Sequence, residues 1–259
     1  MVNKRFSASY SNMSLDRKFN FIGLTLPLPP YAGASIGWIN SGVTNLTAYN
    51  SNGQEAGDLD HGLNALYFSF GLRLIALAQA DKQLMGLPSD LVSIGISIKF
   101  LREGLDDNEE FNYKGSGFGV DLGLLIKPHP MVSLGYQVKD INADLESNTD
   151  NIFDRGSVLS NKFPLTQRVG LFLQFPWYGI STAYDFEWSD VGEEKHHLGL
   201  EVKGNIAAAR VGYDNDRLTF GGGLHFRAYK KMYMLLDYAF LSSVVDEGGS
   251  HVFSWQFLF

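Results

Sequence analysis

Apolar and polar side chains alternate with a period of two along most of this chain. In residues 91–101, Val92, Ile94, Ile96, Ile98 and Phe100 alternate with Ser93, Gly95, Ser97 and Lys99. Residues 117–127, 168–175 and 217–227 repeat the pattern. Because successive side chains of a β-strand point to opposite faces, the pattern predicts strands with one apolar and one polar face.

Turn-forming residues divide the chain into fourteen such segments. They fall near residues 4–12, 18–27, 33–46, 63–75, 90–102, 114–127, 131–142, 166–175, 178–188, 195–204, 206–214, 217–228, 231–242 and 250–259. The first part of the long connection 76–90 is expected to form a helical turn or two, before Gly86, Pro88 and Ser89. Residues 1–259 are therefore predicted to form a single all-β domain.

The polar faces carry charges in the middle of strands as well as at their ends. Eight of these charged residues are predicted to form an ion network: Lys99, Asp121, Lys139, Arg168, Asp185, Glu201, Arg210 and Asp237. A solvated sheet would explain one such strand, but fourteen need an arrangement that covers every apolar face. A closed antiparallel barrel with lipid outside and a polar lumen provides it, whereas a soluble β-sandwich would bury the apolar faces against each other.

Lys99, Asp121 and Lys139 fall on three consecutive predicted strands and are expected to form an ion ladder across them. Such a ladder would satisfy charges in a confined wet interior, or set selectivity, or hold a plug. The structural role is favoured because opposite signs alternate, whereas a selective pore concentrates one sign.

The connections give a second indication of a membrane barrel, since short turns such as 127–130 and 203–205 alternate with longer acidic stretches such as 47–62, 102–115 and 144–163. An even strand number places both termini on the short-turn side, which is periplasmic in bacterial outer membranes. The mean hydropathy of −0.07 is compatible with this fold, because a barrel averages an apolar exterior with a polar interior.

The last segment has aromatic residues at every second position, which are expected to face lipid. Phe253, Trp255, Phe257 and Phe259 resemble the C-terminal signal that the bacterial barrel assembly machinery recognises. Aromatic residues near other segment ends are expected to form girdles at the membrane interfaces: Tyr31, Trp177, Tyr178, Trp188 and Tyr229.

Other classes of function lack sequence support. The net charge of −7 argues against nucleic acid as a partner. Gly115, Gly117, Gly119 and Gly123 do not have the spacing of a phosphate-binding fingerprint. His196 and His197 stand beside acidic residues in a predicted loop, where a solvated loop is favoured over a metal site. No catalytic set emerges, so the chain is predicted to be a non-enzyme without a metal or another cofactor.

Several stretches in order resemble the PorV/PorQ family, which belongs to the long-chain fatty-acid transporter-like (FadL-like) barrels. They are SIGISIKFL, GVDLGLLIKPHPMVSLGYQVKDI, MLLDYAF and SHVFSWQFLF, and the matching residues are Lys99, Asp121, Asp237, Tyr238, His251 and Ser254. The resemblance implies a fourteen-stranded outer-membrane barrel. Family members start with a signal peptide and a hatch segment that plugs the barrel, and neither pattern occurs here. Either the sequence is truncated upstream or the barrel lacks its plug, and truncation is favoured because an empty fourteen-stranded lumen would leak.

The resemblance implies two alternatives for function. The first is an accessory component of type IX protein secretion, whose partners are the translocon and exported cargo proteins. The second is a FadL-like carrier for hydrophobic small molecules. The predicted lumen face is rich in charge and has few apolar residues, Phe172, Leu125 and Tyr67 among them, which favours the first alternative. Outer-membrane lipid and the barrel assembly machinery are expected partners in both.

Overall fold

The computed structural model describes residues 4–49, 52–80, 84, 86–106, 112–148, 158–229, 232–243 and 248–259. Its strands are β1 (Arg5–Asn12), β2 (Arg17–Leu28), β3 (Ala32–Tyr49), β4 (Glu55–Arg73), β5 (Val92–Asp106), β6 (Asn112–His129), β7 (Val132–Asn148), β8 (Val158–Lys162), β9 (Thr166–Phe175), β10 (Ile180–Ser189), β11 (Glu194–Lys203), β12 (Ala207–Asp214), β13 (Arg217–Tyr229), β14 (Met232–Leu241) and β15 (Ser250–Leu258). Helix α1 (Leu74–Ala80) follows β4 and confirms the short helix predicted at the start of the long connection.

The strands close into one antiparallel barrel. Each strand from β1 to β7 pairs with the next, β9 to β15 do the same, and β15 returns to β1. The lower part of β7, at the end of the barrel that holds the termini, pairs with β9 through residues 132–139. Its upper part, at the other end, pairs with β8 through residues 144–148, so β8 and β9 share one position in the wall. The predicted all-β barrel with fourteen strand positions is therefore confirmed.

The outward face of the wall is an exposed apolar belt. Ile94, Leu122 and Phe220 lie on this face and remain 43%, 45% and 51% exposed. Soluble proteins rarely expose apolar surface that continues around the whole molecule. The belt matches the lipid-facing band of a transmembrane barrel, whose polar side chains point inward. Within the described ranges, no helix is long and apolar enough to cross a membrane.

The wall is tall on one side and short on the other. Strands β3 to β7 have 15 to 19 residues, whereas β10, β11 and β12 have 10, 10 and 8. The prediction of acidic loops at 47–62 and 102–115 is therefore wrong for most of their residues. These residues extend the tall strands β3 and β4, and β5 and β6. Their tips, residues 50–51 and 107–111, and the predicted loop residues 149–157 and 244–247 lie outside the described residues.

Two tight turns lie at the end of the barrel away from the termini. Asn215 and Asp216 connect β12 to β13 with φ values of 42° and 72°, and Leu15 and Asp16 connect β1 to β2 with 58° and 54°. Positive φ at both central residues is the geometry of the tight hairpin turns that match strand twist. The connection between the predicted segments 206–214 and 217–228 is therefore a two-residue turn.

Candidate functional site in the barrel lumen

The polar faces of the strands line the lumen, and the strand register shows which of their residues lie side by side. Ser97 pairs with Ser69 on one side and with Asp121 on the other, and Ser69 pairs with Ser35. Paired residues of neighbouring strands point to the same face of a sheet. The lumen below the middle of β3 to β6 is therefore lined by small residues, and the hydroxyl of Ser97 donates to that of Ser69 at 2.7 Å.

Lys99 lies at the centre of the first ion cluster, which we call the Lys99 cluster. Its Nζ donates to Oδ1 of Asp121 at 2.7 Å and to Oδ1 of Asp140 at 2.6 Å. Only 3% of Lys99 is exposed, and the backbone N–H of Asp140 donates to Asp121 at 2.9 Å. One buried cation therefore binds two carboxylates from the next two strands of the wall, β6 and β7.

Glu187 on β10 organises the second cluster, the Glu187 cluster. Its Oε2 accepts from Nζ of Lys139 at 3.0 Å and from Nε of Arg168 at 2.8 Å. Arg168 also lies 3.7 Å from Asp185. Two cations and two carboxylates from β7, β9 and β10 therefore balance each other in this part of the lumen.

Arg210 on β12 forms the third cluster, the Arg210 cluster. Its Nε donates to Glu201 on β11 at 2.6 Å, and its Nη1 donates to Asp237 on β14 at 2.6 Å. The guanidinium reaches both carboxylates because its donors form a rigid fork. The structure thus places all eight predicted charged residues in ion clusters of the lumen, and the sequence prediction missed Asp140 and Glu187.

The expected ladder from Lys99 through Asp121 to Lys139 is not formed. Asp140 and Asn142 adopt positive φ values of 62° and 50°, and the register of β6 with β7 shifts on either side of Ile141. These bulges bring the Asp140 carboxylate to Lys99, while Lys139 pairs with Glu187. Asp and Asn tolerate the left-handed conformation better than other residues with a side chain.

A lumen glycine lies beneath each ion cluster. A Cβ on Gly119 would lie 2.7 Å from the Lys99 stem, one on Gly170 would lie 2.3 Å from Asp185, and one on Gly223 would lie 2.2 Å from Asp237. The charged side chains therefore lie against the wall in space that only glycine leaves open. This arrangement holds the ions sideways, along the wall, and limits how far they project into the lumen.

An apolar compartment lies on the lumen side of the tall wall, above the Lys99 cluster. Ala65, Leu101 and Leu145 are buried against each other, and Ile39 and Phe163 pack against them. The register extends the lumen face to these residues, since Ala65 pairs with Ile39 and with Leu101. The expectation that the lumen has few apolar residues is therefore wrong on this side.

The wall is interrupted beside the apolar compartment. The pairing of β7 with β9 ends at Lys139 with Thr166, and the pairing with β8 begins at Asp144 with Lys162. Phe163 bridges this interval, since its N–H donates to the carbonyl of Ala143 at 2.9 Å, and its side chain packs into the apolar compartment. The compartment therefore adjoins the place where the pairing of β7 changes from β9 to β8.

The two adjacent histidines do not act together. His196 faces outward, where the hydroxyl of Tyr184 lies 2.8 Å from its Nδ1, while His197 faces the lumen beside Asp214. Neighbouring residues of a strand point to opposite faces, which separates the two rings. In the part of the chain that the structure describes, no group of three or more metal-ligating side chains is positioned to hold a metal.

The aromatic residues of β15 face outward, as expected. Phe253, Trp255 and Phe259 are exposed on the apolar belt, and the rings of Phe257 and Phe6 lie 6.2 Å apart across the closing strand pair. Among the predicted girdle residues, Trp177 and Tyr178 occupy the turn between β9 and β10 at the end of the barrel that holds the termini, and they are highly exposed. Recognition of the β15 aromatics by an assembly machinery stays a prediction.

Comparison with solved structures identifies barrels of the same fold. The toluene transporter TodX of Pseudomonas putida matches with a TM-score of 0.63 and 13% identity over 100% of this chain and 89% of TodX. The toluene transporter TbuX of Ralstonia pickettii matches with 0.63 and 10% over the same shares. A FadL homologue of Pseudomonas aeruginosa matches with 0.59 and 11%, over 99% of this chain and 88% of the homologue. No family model and no curated protein matches. At these identities the comparisons show a FadL-like barrel fold.

Proposed function

We propose that this barrel spans a bacterial outer membrane and lets small hydrophobic molecules pass through it, with both termini on the periplasmic side. The observation that carries the proposal is the apolar compartment of Ile39, Ala65, Leu101, Leu145 and Phe163 on the lumen face of the tall wall. Ligand sites for apolar molecules are lined mostly by apolar side chains, with a few polar groups that fix orientation. Here the Lys99 cluster supplies the adjoining polar groups.

The solved structures support this proposal by analogy. TodX and TbuX are described as toluene transporters, and CymD, which matches with a TM-score of 0.62 and 11% identity, is described as a monoaromatic hydrocarbon channel. A fold hosts many functions, so the analogy gains weight only from the site. The site agrees with it, because the compartment contacts the wall interruption that Phe163 bridges.

A role in type IX secretion has less support from the structure. That alternative was favoured by a lumen with few apolar residues, and the apolar compartment removes this reason. The solved structures cited here are described as transporters, a channel and a FadL homologue. The PorV/PorQ resemblance therefore contributes the barrel fold, and the carrier function is the better interpretation of the lumen.

Uptake of a fluorescent apolar probe tests the proposal. Cells with an outer membrane that express the full chain should take up N-phenylnaphthylamine faster than cells with an empty vector. Leu145→Asn places an amide in the apolar compartment and should lower the rate about tenfold, because unpaired polar groups in an apolar site are costly. Leu125→Asn is the matched control, since Leu125 shares the lumen face but lies near the opposite end of β6.

Two further measurements make the outcome decisive. Heat-modifiable mobility on gels verifies that each variant forms a folded barrel in the same cells. Uptake equal to the empty vector, or equal uptake by Leu145→Asn and the wild type, would refute the carrier function. Recovery of translocon and cargo proteins in a pull-down from these membranes, without probe uptake, would instead support the secretion role.

A further inference from the structure

The outward face of β2 to β6 changes from apolar to polar at one row of paired residues. The row, which we call the asparagine row, consists of Asn20, Asn40, Asn64, Arg102 and Ser116. Nδ2 of Asn20 donates to Asn40 at 3.1 Å, and Nδ2 of Asn40 donates to Asn64 at 3.1 Å. The outward residues one step nearer the membrane centre are Ile22, Trp38, Leu66, Phe100 and Phe118. The polar edge of the lipid-facing belt therefore lies at this row.

The next outward row forms the floor of a groove. Lys18 pairs with Gly42, Gly42 with Gly62, Gly62 with Gly104, and Gly104 with Lys114. The groove, which we call the basic groove, has a volume of about 660 Å³ and extends from the asparagine row past these glycines. A Cβ on Gly62 or Gly104 would meet no atom within 4 Å, so both positions open into the groove.

The cations of the basic groove have no side-chain partner in the part of the chain that the structure describes. Lys18, Arg102 and Lys114 are exposed, and among the described residues none of their side chains makes a hydrogen bond or an ion pair. The carboxylates that line the groove are both engaged. Oε1 of Glu103 lies 2.9 Å from Nε2 of His61, and Asp60 also has an interaction of its own. Three exposed cations without a side-chain partner among the described residues therefore surround a trough at the edge of the apolar belt.

We infer that the basic groove binds the phosphate of an anionic lipid headgroup, an inference that rests on the membrane placement proposed above. The acyl chains would lie along the belt residues Trp38, Phe100 and Phe118, directly below the cations. Basic pockets at the membrane interface bind anionic headgroups, and the arginine fork matches phosphate oxygens. A lipid is favoured over a free anion because the groove is continuous with the apolar belt.

Lipid selection by the purified full chain tests this inference. The barrel is reconstituted in discs of equal parts phosphatidylcholine and phosphatidic acid, then extracted, and the retained lipids are measured by native mass spectrometry. The wild type should retain phosphatidic acid in preference to phosphatidylcholine. The triple variant K18Q/R102Q/K114Q should lose about tenfold or more of this preference, because each cation near an anionic headgroup contributes several-fold to affinity.

Two further variants separate the charge and the shape of the groove from a general loss of positive charge on the protein. The variant K127Q/K195Q/K203Q removes the same charge outside the groove and should keep the wild-type preference. Gly104→Leu fills the groove while leaving its cations in place, and it should also lose the preference. All variants are first shown to be folded by heat-modifiable mobility and inserted by vesicle flotation.

Three outcomes would overturn the inference. They are no preference in the wild type, an unchanged preference in K18Q/R102Q/K114Q, or complete displacement of phosphatidic acid by inorganic phosphate, which would indicate a free-anion site. Failure to insert in the flotation assay would refute the membrane placement itself. Probe uptake is measured separately, so loss of the carrier function and loss of lipid binding are distinguishable.

Discussion

Replacement of Lys99 by Met tests whether the Lys99 cluster stabilises the barrel. Met has a similar stem and no charge, so Asp121 and Asp140 would lose their shared donor. The Asp121 side chain is 10% exposed and that of Asp140 is 23% exposed, which leaves little access for compensating water. Breaking one partner out of a buried ion pair costs about 3–5 kcal/mol, and we expect a loss of stability in this range.

Equilibrium unfolding in urea from lipid vesicles, followed by tryptophan fluorescence, would measure this loss. Lys127→Met is the control, because Lys127 and Asp90 form an exposed pair at 4.0 Å, with side chains 41% and 55% exposed. Such surface pairs contribute about 0–1 kcal/mol. Similar losses for Lys99→Met and Lys127→Met would refute the reasoning. Adding D121N and D140N to the Lys99 variant should recover part of its stability, because the unpaired carboxylates are removed.

Two further predictions concern the lumen wall and the lipid-facing belt. Gly119→Ala should destabilise the barrel by about 1–3 kcal/mol in the same unfolding assay, because its Cβ would collide with Lys99 and Ala143 at 2.7 Å. Gly123→Ala on the same strand face has open space and should cost less than about 1 kcal/mol; equal costs would contradict the packing argument. Ile96→Arg on the belt should cost about 2–4 kcal/mol in lipid vesicles, while Ser116→Arg at the polar edge should cost about 0–1 kcal/mol. Equal costs for these two arginine variants would argue against the membrane boundary at the asparagine row.

Alternation alone was sufficient to predict the barrel, because a two-residue period is visible wherever one face meets lipid and the other meets the lumen. Strand β5 shows this, with Ile94 and Ile96 outward and Ser97 and Lys99 inward, as predicted. The signal changes above the belt, where the outward face becomes polar and the lumen face includes apolar residues such as Leu101 and Leu145. The upper parts of β4 to β7 were therefore interpreted as loops, although they are strands.

The sequence predicted which charged residues belong to the site better than it predicted which of them pair with each other. Each predicted ion lies at a lumen position of a regular strand, so the alternation identifies it. The partnership of Lys99 with Asp140 depends on a bulge whose only sequence signal is Asp and Asn at a spacing of two, at 140 and 142. The apolar compartment was missed for another reason. Leu145 lies beyond the predicted strand end, and Phe163 belongs to the interruption between β8 and β9.

The ion clusters and the apolar compartment are compatible because each charge of the clusters is paired with an opposite charge along the wall. An isolated charge facing the lumen would hold water and oppose the entry of an apolar molecule, since removing that water is costly. Lys99 instead lies against Gly119 and binds two carboxylates, and the Glu187 cluster contains two charges of each sign. The paired ions therefore project little charge toward the apolar residues Leu101 and Leu145 above them.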